Sequence, residues 1–167
     1  MGRILLIATT LVALVLASAS AQTNTAIVAG QSIGGVRIGG NINDAIGALG
    51  NLFDREEGTS GKYLFYDWPL KPFLIIAEKE SGRVVLVAVA FTDGFRTEKG
   101  VAGGSERQAV VTAYGSEFEA IENQSHTRLV YNPQGIAFFV AKNGIMSGKV
   151  YQIVVFIPGQ WKEVTEG

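Results

Sequence analysis

The chain has one histidine and no cysteine, so thiolate chemistry is closed to it and imidazole chemistry rests on His126. This residue lies in Asn123-Gln124-Ser125-His126-Thr127, a polar run between a helical pattern and a strand pattern. A metal site needs several ligands, and a catalytic triad needs a serine and a carboxylate brought to the imidazole by the fold. There is no second histidine and no spacing that recommends a partner, so His126 reads as an exposed loop residue. Ser147-Gly148-Lys149 offers a hydrolytic Ser–Lys pair only on paper, because a solvated hairpin turn accounts for it. Asp54-Arg55-Glu56-Glu57 lacks the Asp-x-Asp-x-Asp-Gly spacing of a calcium loop and reads as a solvated loop. Asp67, Glu78, Glu80 and Asp93 stand singly near strand ends, where charge protects sheet edges, and not as the facing pair that glycoside hydrolysis requires. No Gly-x-Ser-x-Gly occurs. Gly61-Lys62 does not end a phosphate loop, since Glu56 occupies the place of its first glycine and Tyr63 follows the lysine. The expectation is a protein that is not an enzyme, with no catalytic residue, no metal ligand set and no cofactor.

Aromatic residues are the stronger signal. Tyr63, Phe65, Tyr66, Trp68 and Phe73 crowd into eleven residues. Period-2 alternation puts Tyr63 and Phe65 on one face of a strand and Tyr66 and Trp68 on the other. Tyrosine and tryptophan combine contact area with a polar tip and are favoured where proteins meet, so Tyr63, Tyr66, Trp68 and Tyr131 are the candidate partner-binding residues. The competing expectation is that most of these rings fill a core. In the strand Arg83–Phe91 both alternate sets are apolar, so its second face is either covered or adhesive.

The elements that must position these residues follow from an internal correspondence. Sliding the chain by 65 aligns Gly50 with Gly115, Phe53 with Phe118, Leu64 with Leu129, Tyr66 with Tyr131 and Phe73 with Phe138. One extra residue in a turn then aligns Gly82 with Gly148 and Val84 with Val150. Each stretch reads as a short helix followed by three strands. Asn41 and Ser105 are the cap candidates, with Asp44 and Gln108 in the first turns. Ile42, Ala45, Ile46 and Leu49 share one helix face, and Gly50 and Gly115 stop the helices. The strands run Tyr63–Trp68, Phe73–Ala77 and Arg83–Phe91, then Arg128–Tyr131, Ile136–Lys142 and Lys149–Ile157, with hairpin-length turns between them. The expected fold class is α+β: two tandem copies of a short helix followed by a three-stranded antiparallel meander, with the helices packed on the sheet. The divisions are a cleaved signal over 1–21, a lead-in over 22–32, units over 33–94 and 95–160, and a tail over 161–167, with the lead-in and tail read as frayed or lightly docked ends.

These residues carry a resemblance. Gly40 with Asp44, Ala45, Leu49 and Gly50, then Gly104 with Gln108, Ala109, Tyr114 and Gly115, are similar to the helix starts and ends of the beta-lactamase inhibitory protein fold. They are similar also to those of the related small outer-membrane assembly lipoproteins. The resemblance covers about residues 33–157 and implies a tandem architecture with a binding sheet. The chain departs from both groups in having neither an acylated cysteine nor disulfides, and no partner-contact residue carries over.

Arg3, the apolar run Ile4–Leu16 and Ala19-Ser20-Ala21 fit a secretory signal cut before Gln22. Its apolar run of about 13 residues is short of the roughly 20 needed to span a bilayer. Cleavage removes Arg3 and leaves 13 basic against 15 acidic groups, a balance unsuited to nucleic acid or an anionic membrane surface as main partner. The expected product is exported, periplasmic or extracellular, soluble, without a lipid anchor and without stable membrane insertion. Its expected function is binding or inhibition of a protein or cell-envelope component through the sheet or the cleft between units. The alternatives are a self-associating envelope-assembly protein and, further off, a small secreted hydrolase.

Overall fold

The computed structural model describes residues 25–90 and 94–166. The signal segment, the first part of the lead-in (22–24), Phe91, Asp93 and Gly167 lie outside the described residues.

The helices α1 (Ile42–Leu49) and α2 (Arg107–Tyr114) form where the apolar spacing places them. Asn41 caps α1, its Oδ1 accepting from Asn43 N at 2.9 Å. Ser105 does not cap α2: the cap position is Glu106 without a side-chain bond, and Ser105 Oγ accepts from Ala102 N at 3.0 Å instead. Both helices end at a glycine of positive φ, Gly50 at 89° and Gly115 at 92°. At eight residues each they cannot stand alone in water and depend on burying one face.

The strands correct the expected fold class. The chain is mostly β, with twelve strands in two sheets and three α-helices among the described residues, and not a pair of helix-plus-three-stranded meanders. The large sheet is antiparallel throughout and contains β4 (Asp54–Glu57), β5 (Tyr63–Asp67), β6 (Phe73–Glu78), β7 (Val84–Ala90), β12 (Val150–Phe156), β11 (Ile136–Ala141), β10 (His126–Tyr131) and β9 (Glu119–Glu122), in that spatial order. Two edge strands, β4 and β9, extend it beyond the expected meanders. Their sequences, Asp-Arg-Glu-Glu and Glu-Ala-Ile-Glu, show no apolar alternation because an edge strand buries little, and their charge blocks further pairing. At the centre β7 pairs with β12 from Leu86↔Phe156 to Ala90↔Gln152, so one continuous sheet joins the two stretches.

The small sheet accounts for the lead-in and the glycine-rich approach to α1. Its strands β1 (Ala26–Val28), β2 (Ser32–Ile33), β3 (Val36–Arg37) and β8 (Arg96–Thr97) run in the order β3-β2-β1-β8, with β1 parallel to β8. The β2–β3 hairpin turns on Gly34 and Gly35, at φ 59° and 87°; a two-residue turn with both residues at positive φ matches strand twist and favours glycine. The lead-in is therefore not a loose end: Ile27 and Ile33 are fully buried.

The small sheet, α1 and α2 cover one face of the large sheet, over a core that includes Ile75, Val87, Leu129, Phe138 and Ile153. The other face is also apolar and is covered in part by α3 (Trp161–Glu166), in the segment expected to be frayed or lightly docked. Two bulges set which side chains reach this second face. Register slips between Ile76 and Ala77 opposite β7, and between Phe139 and Val140 opposite β12. The bulge beside Val84 turns two consecutive side chains, Val85 and Leu86, onto the second face, as an extra residue in one strand does. Among the described residues no helix is long and apolar enough to cross a membrane.

Candidate functional site

The four aromatic residues singled out from the sequence are all buried. Tyr66, Trp68 and Tyr131 belong to the helix-covered face, and their polar tips have structural work. Trp68 Nε1 donates to Gly50 O at 2.8 Å, and Tyr131 Oη donates to Gly115 O at 2.8 Å. Each terminal helix glycine thus has its carbonyl, an orphan acceptor at a helix end, satisfied by an aromatic side chain from the sheet. Phe53 packs on Tyr66 and Trp68 with ring centroids 5.3 and 5.1 Å apart, and Tyr114 and Phe118 each pack on Tyr131 at 5.5 Å. Tyr63 lies on the second face, in the cluster that α3 covers. Its hydroxyl pKa is raised, first by burial and then by Glu163 and Glu78.

The surface left over is on that second face. α3 buries Trp161 and Val164 against Val130, Ala137, Val154 and Phe156. It covers the end of the sheet where β12 finishes, with Trp161 reaching the edge of Phe139 at 6.3 Å between ring centroids, and leaves the end where β12 begins. There Tyr151, Gln152, Phe139, Arg128, Ile121 and His126 are each half-buried. The register sets Ala90 beside Gln152, Gln152 beside Phe139, Phe139 beside Arg128, and Arg128 beside Ile121, one row across five strands. The rings form a connected cluster: His126 stacks on Phe139 at 5.1 Å, and Tyr151 meets His126 at 5.8 Å and Phe139 at 6.1 Å. Arg128 lies over the Phe139 ring, Cζ to centroid 5.3 Å, within the range of a cation–π contact. Beyond Tyr151 a depression of about 300 Å³ is walled by Ala141, Ile145 and Met146, and Ile145 is 97% exposed. A large aliphatic side chain offered to water beside an aromatic shelf is an apolar contact patch. Sequence reasoning missed it because Tyr151 was read inside an ordinary strand, and no local signal marks the bulge that turns it outward.

His126 helps to hold the patch together. Asn123 Nδ2 donates to its Nε2 at 2.9 Å and Arg128 Nε donates to the same atom at 3.2 Å, while Ser125 Oγ lies 3.0 Å from Nδ1. This network assigns the ring proton to Nδ1 and requires a neutral imidazole. Burial, then Arg128 and Lys142, lower the His126 pKa below its ordinary 6.5. The folded state therefore favours the neutral ring, and this contribution to stability is full above pH 6.5 and lost as pH falls through the lowered folded value. An NMR titration of the His126 ring is expected to give a midpoint below 6.5, with thermal stability falling across the same window and His126→Gln flattening that fall. A midpoint at or above the ordinary value contradicts the assignment.

The other chemical candidates are not drawn together. Ser147 Oγ donates to Lys142 O at 2.8 Å, which ties it to its own turn and not to Lys149. Glu78 is held by Arg83 and Ser81, both bonds at 2.5 Å, and their hydrogen bonds lower its pKa. Asp67 faces Asp54 across the exposed β4–β5 edge. The run Asp54–Glu57 is a strand, not the loop expected, and stays exposed. Among the described residues no three His, Cys, Asp or Glu gather closely enough to hold a metal ion. No protein-family model, no curated protein and no solved structure matches this chain.

Proposed function

We propose that this chain is an exported binding protein, inhibitor-like and without catalysis of its own, that docks a partner protein on the uncovered end of the second sheet face. One observation carries the reading: a sheet apolar on both sides is fully covered on one and only part-covered on the other, by a six-residue helix. The uncovered part is a rigid row of side chains backed by eight hydrogen-bonded strands. Aromatic and arginine side chains fixed on such a support bind at low entropic cost. Export is supported by the Ile4–Leu16 apolar run and the Ala19-Ser20-Ala21 junction. The surface differs from the one first read from the aromatic count, since Tyr66, Trp68 and Tyr131 are spent on packing. The test is site-specific photo-crosslinking in the native host. A benzophenone amino acid at Gln152 is expected to trap a discrete partner, and the same group at Gln108, exposed on α2, is not. Equal trapping at both positions, or at neither, overturns the reading.

A further inference from the structure

Resting on the docking surface just proposed, we infer that its partner presents a carboxylate beside an aromatic or aliphatic group, and that Arg128 is the residue that receives the carboxylate. Arg128 is the fixed positive charge of the row Gln152, Phe139, Arg128 and Ile121; on the same face Gln152 and His126 are its polar neighbours, and Glu119 stands opposite Val130 towards α3. No described carboxylate forms an ion pair with it. The acids nearest in sequence position on β9 are engaged elsewhere, Glu122 by Lys142 and Glu119 by Lys162 at 3.4 Å. The guanidinium is also oriented in advance. Its plane is supported by Phe139, and Nε is donated to His126, which uses one of five N–H donors and leaves both terminal nitrogens for a forked contact. Half-burial among rings thins the water that would screen such a contact, so a carboxylate gains more here than at an exposed lysine.

Charge also selects against the other anionic partners. Of the acids on the edge strands β4 and β9, Glu57, Glu119 and Glu122 are paired with Lys79, Lys162 and Lys142, and Asp54 and Glu56 remain to repel a polyanion approaching over the β4 edge. A single acidic side chain set in an apolar context reaches Arg128 without that penalty. Phe139, Tyr151 and Ile121 are placed to accept its apolar neighbour.

Phenylacetate joins the two required groups and serves as the probe, with phenylacetamide as its uncharged counterpart. In amide NMR of the isotope-labelled protein, phenylacetate is expected to shift the Arg128 Nε–H and the backbone amides of Phe139, Tyr151 and Gln152 saturably. Phenylacetamide is expected to bind roughly tenfold more weakly, the worth of one charge-assisted hydrogen bond. Arg128→Gln, with its spectrum otherwise retained, is expected to make the two probes equal. Equal affinity of the native protein for both probes overturns the carboxylate assignment and leaves the docking surface standing. Absence of saturable shifts at these residues with either probe counts against both.

Discussion

Trp161→Ala is expected to lower the stability of the fold by about 3–5 kcal/mol and to make the protein bind apolar dyes and self-associate. Trp161 is 2% exposed and packs on Phe156 at 5.0 Å and on Phe139 at 6.3 Å. Its backbone N–H donates to Asn132 Oδ1 at 3.2 Å. The helix that carries it has six residues, too few to persist without tertiary contacts, so Trp161 and Val164 are what hold it down. Truncating the ring removes both a large buried side chain and the reason for α3 to stay. The face below contains Ile76, Leu86, Val130, Ala137 and Val154, which become an open apolar surface of the kind that drives association. Thermal melting is expected to move down on the order of 10 °C, and analytical ultracentrifugation to show concentration-dependent oligomers. Trp161→Phe should restore most of both. A variant that melts like the native protein and stays monomeric would show that α3 is not the cover described.

Gly135→Ala is expected to be comparably damaging, by about 3 kcal/mol or more, from left-handed strain and overpacking together. Gly135 adopts φ 68°, ψ 36° where a turn enters β11. A Cβ there would lie 2.5 Å from Phe156 O and 2.7 Å from Gly30 Cα. Both are backbone atoms and cannot rotate away. The carbonyl of Gly135 accepts from Gly30 N at 3.1 Å and from Phe156 N at 3.0 Å, so the displacement also pulls on the β1–β2 turn and the end of β12. Gly115→Ala is the control. Its φ 92°, ψ 178° lies in a region essentially confined to glycine and is more strained for alanine than the left-handed basin of Gly135, yet nothing lies within 4 Å of the added carbon, and a loss of about 1–3 kcal/mol from backbone strain alone is expected. Equal denaturation midpoints for the two variants would contradict the close approach at Gly135.

How far the sequence leads depends on how locally each feature is encoded. α1 was legible because an asparagine cap, an apolar face and a terminal glycine all act within one turn. So was the split of Tyr63 and Phe65 from Tyr66 and Trp68 across the two faces of β5, which is a matter of strand period alone. The strands β4 and β9 were not legible, since exposed edge strands carry the charge pattern of loops. α3 was not legible either: its two buried residues, three apart, look like a tail until a sheet face lies beneath them. The aromatic residues were legible as unusual, with a contact surface and a core both open as readings; nothing in the sequence places Trp68 beside Gly50 or Tyr131 beside Gly115, the contacts that put them in the core. The uncovered patch depends on a bulge in β12 and on the extent of α3, and both are settled only when the large sheet has assembled.

The photo-crosslinking comparison tests the central claim most directly. With the benzophenone at Gln152 the account predicts one dominant adduct, lost when Tyr151→Ala is added, and no adduct from Gln108 on α2. A dominant adduct from Gln108 with none from Gln152 would place the working surface over the helices and contradict it.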